Sequence, residues 1–303
     1  MNPISIEGLT KVYRDKKRRR VTALQGLDLQ IEAGEVFGFL GPNGAGKSTT
    51  IKTLVGQIQS TAGCAKLFGI AAGDPRARRR IGYLPENPSF YDFLTAKEYL
   101  SLVGRCFGMD RSAIERESER VLELVDLHPA AKRKIQGYSK GMVQRLGLAQ
   151  TLLHDPDLFI LDEPMSGLDP LGRALVKQVM IDLRRRGKTI FFSTHVTADV
   201  EAVCDRVAVL VGGKLQTVNR VSELLEKGIE GYVIQLPSAT AGLWSDFEAR
   251  PQSDDVCEVF VPRGKFNSFM AIAGREGVEV QLIEPRRRSI EQFFLEIVRR
   301  ETE

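Results

Sequence analysis

Residues 41–49 of this chain, GPNGAGKST, place three glycines, a lysine and two hydroxyl side chains between two apolar segments. A glycine, four further residues and then Gly-Lys-Ser form the pattern of a loop that cradles the phosphates of a nucleotide. Glycines let backbone N–H groups converge on phosphate oxygens, and the positive end of a following helix adds to the attraction. The alternative is a glycine-rich turn without a ligand. We predict nucleotide binding by Gly41, Pro42, Asn43, Gly44, Ala45, Gly46, Lys47, Ser48 and Thr49.

The segments around this loop predict a parallel α/β fold. The residues before it, VFGFL, are continuously apolar, as in a strand covered on both faces. Two similar segments follow at 157–163 and 188–195, and between them Leu175, Val179 and Leu183 repeat at helical spacing. Strand, helix and strand at this spacing indicate a parallel sheet with crossover helices.

The segment DLFILDE ends in two carboxylates, Asp162 and Glu163. Beside a phosphate loop, such a pair divides the work of nucleotide hydrolysis. Asp162 is expected to hold Mg²⁺ with the Ser48 hydroxyl, and Glu163 to orient the attacking water as general base, while Lys47 reaches the β- and γ-phosphates. The alternative is an acidic pair that only caps the following turn.

The pattern changes twice along the chain. The sequence pattern over 90–155 predicts helices throughout, and Thr95 and Glu98 stand in capping-box spacing. A boundary is expected near 217–230. We therefore predict a first domain over 1–220 and a small α+β accessory domain over 221–303. Strands are expected there at GYVIQLP, CEVFVPR and VEVQLIEP, with a helix over 266–275 and a last helix from Ser289.

Composition limits the class of protein. Of the 303 residues, 43% are apolar and 27% are charged, and no apolar run reaches the roughly 18–20 residues that span a bilayer. No secretory signal is visible, so we expect a cytosolic address. The net charge of +4 is too small to indicate a nucleic-acid partner. Four scattered cysteines are expected to be buried thiols, since their spacing fits neither a disulfide framework nor a zinc site.

A further segment, YSKGMVQRLGLAQTLL over 138–153, predicts a helix capped by Ser139, with an apolar stripe that includes Leu146 and Ala149. This segment resembles the signature of ABC-type ATPases, Leu-Ser-Gly-Gly-Gln followed by a helix. Other landmarks follow in the family's order. Residues 166–169, SGLD, resemble the D-loop, His195 the switch histidine, and Tyr13 the aromatic residue that stacks on adenine.

The resemblance covers residues 4–220 and implies a P-loop NTPase of the ABC type with a helical insertion. In that family two ATP molecules lie between two nucleotide domains. Ser139 and Gly141 would then contact ATP held by a second copy of the chain, with Asp169 close by, and His195 would bond to the γ-phosphate. The open alternatives are a polar strand-end histidine and, for Tyr13, an ordinary edge-strand aromatic.

Three departures from the family pattern concern the signature and the Q-loop. Lys140 and Met142 stand where glycine and glutamine are usual, while Ser139 and Gly141 keep the expected residues. Glu86 stands where most members have glutamine. A glutamate can still bind Mg²⁺, but it donates a hydrogen bond only when protonated.

The glutamate at 86, the YSKGM signature and the C-terminal segment SIEQFFLEIVRRE resemble the ATPase subunits of ABC-2-type exporters. This implies a separate integral membrane permease, bound from the cytoplasmic side by two copies of the chain. The apolar residues Phe90, Tyr91, Phe93 and Leu94 would line the groove that receives it, although ordinary packing is the alternative. Another class remains open, a soluble ABC ATPase that acts on DNA or the ribosome. A GTPase is disfavoured because we find no Asn-Lys-x-Asp motif.

Overall fold

The computed structural model describes residues 2–14, 19–244, 246–253 and 255–302. The chain divides into two compact units, Met1–Val221 and Ser222–Glu303. Each unit has a hydrophobic cluster of its own. The described helices include none that is long and apolar enough to cross a bilayer.

The first unit contains ten strands within the described residues. They are β1 (Ile4–Arg14), β2 (Arg20–Ile31), β3 (Val36–Leu40), β4 (Ala62–Leu67), β5 (Ile70–Ala71), β6 (Ile81–Leu84), β7 (Leu158–Asp162), β8 (Thr189–Thr194), β9 (Arg206–Val211) and β10 (Lys214–Arg220). Strands β2, β1, β4 and β5 form an antiparallel sheet in that order.

The central sheet has the order β10-β9-β3-β8-β7-β6, and all of its strands except β10 run parallel. Every residue of β3, β7 and β8 is buried, as the continuous apolar sequence of strands covered on both faces predicts. The carboxyl ends of β3, β7 and β8 are adjacent, because parallel neighbours end at the same edge. This edge brings the phosphate loop, Asp162 and His195 together.

The helices of the first unit connect these strands. They are α1 (Lys47–Leu54), α2 (Pro75–Arg78), α3 (Ala96–Cys106), α4 (Arg111–Leu124), α5 (Lys140–Leu152), α6 (Pro170–Arg185) and α7 (Thr197–Val203), and α8 (Val221–Lys227) begins at the division between the units. The capping box at Thr95 and Glu98 is present at the start of α3. Helices α3, α4 and α5 pack on one another as the helical insertion between β6 and β7.

The second unit is an antiparallel sheet with helices. Its strands, in the order β12-β13-β11-β14, are β11 (Ile229–Pro237), β12 (Glu248–Pro251), β13 (Val256–Pro262) and β14 (Leu282–Arg287), and its helices are α9 (Phe266–Arg275) and α10 (Ile290–Thr302). Alternate residues of β13 are buried, and Trp244 packs on Phe269 of α9 with ring centroids 4.4 Å apart. The predicted fold class, an ABC-type α/β fold with a helical insertion and a small α+β unit, is confirmed.

Several local predictions need correction. The strand expected at VEVQLIEP begins only at Leu282, because Val278 and Val280 pack against the cluster of the second unit instead of pairing. Helix α5 has no single stripe, since Gly147, Leu148 and Leu152 are buried as well. Two of the four cysteines, Cys64 and Cys106, are exposed.

Candidate active site

The phosphate loop joins β3 to α1 through two glycines that the surrounding backbone requires. A Cβ added to Gly41 would lie 2.5 Å from the carbonyl oxygen of Leu210. Gly46 has φ of 108°, in the region that favours glycine, and its added Cβ would lie 2.6 Å from the carbonyl oxygen of Ala23. The loop can therefore keep this shape only with glycine at both positions.

Lys47 occupies the inside of the loop. Its Nζ donates to the carbonyl oxygens of Gly41 at 2.6 Å and Pro42 at 3.3 Å, and it lies 3.5 Å from Oε1 of Glu163. A cavity of about 360 Å³ opens beside it, lined by residues 42–49 together with Ala23, Glu86 and Glu163. The Lys47 ammonium and the N-terminus of α1 at the wall of one cavity both attract the negative charge of a polyphosphate.

Asp162 at the end of β7 and Glu163 directly after it are both bonded to one hydroxyl of β8. Ser193 is fully buried, and its Oγ donates to Oδ1 of Asp162 at 2.6 Å while accepting from the backbone N–H of Glu163 at 3.0 Å. The Ser48 hydroxyl donates to the same Oδ1 at 3.3 Å. Asp162 thus faces the first residues of α1 with hard oxygen donors around it.

Glu163 has a backbone conformation that is rare for a residue with a side chain. Its φ is 47°, which costs about 1–2 kcal/mol outside glycine. The Glu163 carbonyl accepts from the backbone N–H of Ser166 at 3.0 Å, and the buried Gln144 of α5 donates to the Pro164 carbonyl at 3.2 Å. These bonds stabilise the turn, so the Glu163 side chain points back toward the phosphate cavity.

His195 follows the carboxyl end of β8 and faces Glu163. Its Nδ1 lies 3.1 and 3.0 Å from the two carboxylate oxygens. We assign the proton to Nδ1, because a carboxylate only accepts. Half of the His195 side chain is exposed.

Ser139, Gly141 and Asp169 lie on a different part of the first unit. Ser139 caps α5, and its Oγ accepts from the Met142 N–H at 3.3 Å, while Oδ1 of Asp169 caps α6 by accepting from the Gly172 N–H at 2.8 Å. A Cβ on Gly141 would lie 4.0 Å from the Gly167 carbonyl oxygen, so the signature segment and the loop 166–169 are neighbours. In the described ranges, none of the three lines the phosphate cavity of its own chain.

The two remaining predicted site residues, Glu86 and Tyr13, differ in their relation to the phosphate cavity. Glu86 lines the phosphate cavity together with the loop residues. Tyr13 pairs with Val21 between β1 and β2, is 38% exposed, and lies 5.0 Å from the Lys11 ammonium by its ring centroid. As far as the structure describes the chain, the walls of the cavity do not include Tyr13.

Sequence reasoning missed Ser193, Gln144 and Ala23. Ser193 and Gln144 are buried polar side chains that directly follow apolar residues, Phe192 and Val143. That pattern is a usable signal, because a buried polar group needs a partner. Ala23 contributes through its position on β2, which no motif marks.

A buried parallel strand, a glycine loop with its lysine at a helix start, and a carboxylate pair on a neighbouring strand define a P-loop nucleoside triphosphatase. Residues 24–166 match the ABC transporter family. The chain belongs to the ATP-binding proteins of that family, and it binds and hydrolyses ATP as an ABC transporter subunit.

Three relatives and one solved structure support this membership. An uncharacterized ABC transporter ATP-binding protein of Synechocystis is 44% identical, and the match covers 78% of this chain and 67% of that protein. The bacitracin transport ATP-binding protein BcrA of Bacillus licheniformis is 32% identical, with 97% of each chain covered. The Nod factor export ATP-binding protein I of Ralstonia nicotianae is 35% identical over 77% of this chain and 72% of its own. A solved ATP-binding subunit of an ABC transporter is 30% identical, with a TM-score of 0.66 over 73% of this chain and 91% of that structure.

Proposed function

We propose that two copies of this chain complete each other's ATP sites and drive an integral membrane permease, with export as the direction of transport. ATP binding favours the closed pair, closure changes the permease, and hydrolysis resets it. A ligand produces such a change only by binding one state better than the other. In this proposal residues 1–220 form the ATPase domain and 221–303 an accessory domain.

The position of Ser139, Gly141 and Asp169 carries this proposal. Ser139 and Asp169 cap α5 and α6, and Gly141 lies in the first turn of α5. The three residues are neighbours at the surface, and among the described residues they are not part of the wall of the phosphate cavity of their own chain. Helix α5 has 13 residues, and its N-terminus attracts anions. A γ-phosphate bound by the loop of a second copy is an anion that would meet this surface.

Hydrolysis in this proposal uses Glu163 as general base. The Glu163 side chain is 89% buried, and its carboxylate lies between the Lys47 ammonium and the His195 ring. Glu163 would orient and polarise a water molecule, while His195 would bond to the γ-phosphate and Lys47 would neutralise phosphate charge. Tyr13 would stack on adenine from the antiparallel sheet.

Ser48, Asp162 and Glu86 are the residues we propose for Mg²⁺. The observation that supports them is the adjacency of the Ser48 hydroxyl and the Asp162 carboxylate, together with Glu86 in the wall of the same cavity. These are the hard oxygen donors that Mg²⁺ prefers, with few protein ligands and room for phosphate and water. When bound, the ion neutralises charge on the β- and γ-phosphates.

The permease would dock on an apolar groove at the start of α3. The groove has a volume of about 660 Å³ and includes Tyr91, Phe93, Leu94 and Leu102, with Tyr91 58% and Phe93 61% exposed. Exposed aromatic residues grouped in this way are typical of protein interfaces. Phe90 differs from the expectation, because it packs on Tyr99 with ring centroids 4.8 Å apart.

The relatives support export as the direction of transport and an association with the membrane. The names of two relatives refer to bacitracin transport and Nod factor export. By this similarity we place the chain at the cytoplasmic face of the cell membrane, bound through the permease.

The test of the shared site uses two variants that fail separately and recover together. Ser139→Arg puts a bulky side chain at the proposed partner surface, and Lys47→Ala removes the phosphate contact. We expect each variant alone to lose at least about 100-fold in turnover, since both of its sites are defective. A mixed pair contains one site with an intact loop and an intact signature, so mixing should restore a measurable part of the activity.

Ser289→Arg is the matched control, because Ser289 also caps a helix, α10, and accepts from the Gln292 N–H at 3.2 Å. It should lose the cap, worth about 1 kcal/mol, and keep its turnover. Normal turnover in Ser139→Arg would show that each chain hydrolyses ATP without its partner. That result would refute the proposal.

A further inference from the structure

Asp199 is a buried carboxylate to which the proposed hydrolysis gives no role. Its side chain is only 3% exposed and has two cationic partners. Nη2 of Arg173 lies 2.8 Å from both of its oxygens, and Nζ of Lys177 lies 3.0 Å from one. Both cations belong to α6, one turn apart, so one helix face holds the carboxylate.

The two helices joined by this cluster begin at residues of the site. Helix α6 starts after Asp169, and the Arg173 N–H donates to the Asp169 carbonyl at 2.9 Å. Helix α7 starts two residues after His195 and has no side-chain cap of its own. The cluster therefore connects the loop 166–169 to the switch histidine.

A cavity of about 150 Å³ lies between this cluster and the reacting residues. Its lining includes Arg173 and Asp199 of the cluster as well as Glu163, Ser166, Gly167 and His195. A shift of α7 relative to α6 would move the His195 ring across this small space. The ring would then leave the Glu163 oxygens, which are 3.0 and 3.1 Å away.

Stability is a weak reason for such a cluster. Burying ions costs desolvation energy, and apolar replacements of similar volume are often equally stable. What a charge pair with short hydrogen bonds supplies is a fixed geometry between its two elements.

We propose that Asp199, held by Arg173 and Lys177, is a positioning residue for ATP hydrolysis. It fixes α7 against α6 and so keeps His195 on Glu163. This inference rests on the proposed roles of Glu163 and His195, and it does not depend on the permease.

The first test is Asp199→Asn in the full chain. The change keeps the volume, and the two cations left behind, 32% and 26% exposed, can turn to water. We expect kcat to fall about 10- to 100-fold, as misplaced reacting groups do, while KM for ATP stays within about twofold because the phosphate loop is untouched.

The second test distinguishes a positioning role of the Asp199 cluster from a role in stabilising the fold. In the double variant Arg173→Met with Asp199→Leu, an apolar pair replaces the ionic one. It should unfold within a few degrees of the unchanged chain and still show the low kcat. Recovery of kcat along with thermal stability would mean that the cluster only stabilises the fold, and would overturn the inference.

Arg184→Gln is the matched control, because Arg184 pairs with Asp205 from the opposite end of α6. Its kcat should stay unchanged; a loss equal to that of Asp199→Asn would overturn the inference. Glu163→Gln, measured in parallel, should bind ATP with almost no turnover. Normal turnover there would refute the general base and this inference together, whereas normal turnover in Asp199→Asn beside an inactive Glu163→Gln would refute only the inference.

Discussion

At the residue scale, Ser193 shows how one hydroxyl separates the positions of two adjacent carboxylates. Its Oγ bonds to the side chain of Asp162 and to the backbone N–H of Glu163. These two bonds fix the position of each acidic residue relative to β8. Asp162 is held toward Ser48, and Glu163 toward Lys47 and His195. The different chemistry proposed for each acid follows from these partners, since the side chains differ by only one methylene.

His154 is a second residue whose chemistry depends on its surroundings. Its Nε2 lies 3.1 Å from the Ile81 carbonyl oxygen, and its ring stacks on Phe107 with centroids 3.7 Å apart. In the described part of the chain, its buried Nδ1 has no hydrogen-bond partner. Burial lowers the pKa of this imidazole, and it outweighs the Ile81 hydrogen bond, which acts in the opposite direction. Folding therefore favours the neutral ring.

This pKa shift predicts an acid sensitivity. A histidine whose folded pKa lies below the unfolded value of about 6.5 contributes stability above that pH and loses it as the pH falls through the folded value. His154→Gln keeps an N–H donor and does not titrate. Between pH 7.5 and pH 5, we expect the wild-type chain to lose more thermal stability than the His154→Gln variant. The melting temperatures of the two proteins should therefore converge as the pH falls. Curves that stay parallel would contradict the assignment.

At the scale of elements, helix α5 connects three parts of the first unit. Its N-terminus carries the signature residues, Gln144 supports the turn after Glu163, and Gln150 bonds to Tyr99 of α3. Tyr99 in turn packs on Phe90, close in sequence to the proposed docking groove. Helix α5 therefore has contacts with the turn after Glu163 and with α3.

The groove supplies a prediction at this scale. Phe93→Glu places a charge in an apolar docking surface, which should cost more than 1.4 kcal/mol and so weaken permease binding about tenfold or more. The fraction of the chain that sediments with membranes should fall accordingly, while the purified chain keeps its ATPase activity. Leu243→Glu, at a residue 49% exposed in the second unit, is the control. Equal sedimentation of both variants would argue against the groove.

At the scale of the whole molecule, the two units have separate hydrophobic clusters. The first includes Phe37 and Phe39 of β3 with Ile51 of α1, and the second includes Trp244 and Phe269. Every described residue that lines the phosphate cavity belongs to the first unit. Within the described part of the chain, the wall of the nucleotide site is therefore formed by the first unit.

We expect a fragment of residues 1–227, which keeps α8 complete, to fold and to bind ATP within about threefold of the full chain. A core of this size buries enough apolar surface to be stable alone. Calorimetric titration with ATP and a cooperative heat transition would test this, with Lys47→Ala in both lengths as the control for specific binding. An aggregated fragment, or one that does not bind ATP, would contradict independent folding.

The sequence alone was sufficient for features that depend on local geometry. The phosphate loop, the strand before it and the helix after it, the cap at Ser139 and the helix over 266–275 all follow from backbone preferences and from the period of apolar residues. The parallel α/β class followed from the same patterns, because strand, helix and strand in series have few ways to pack, whereas the ABC type followed from the family resemblance of the signature segment.

Only the tertiary structure decided which distant side chains meet. Asp199 is 26 residues from Arg173, Gln144 is 20 from Pro164, and Ser193 is 31 from Asp162. These pairs form where neighbouring strands and helices end at one edge of the sheet, and no periodicity marks their separation along the chain. Burial then determines their chemistry, because desolvation and hydrogen-bond partners set the charge and orientation of each group.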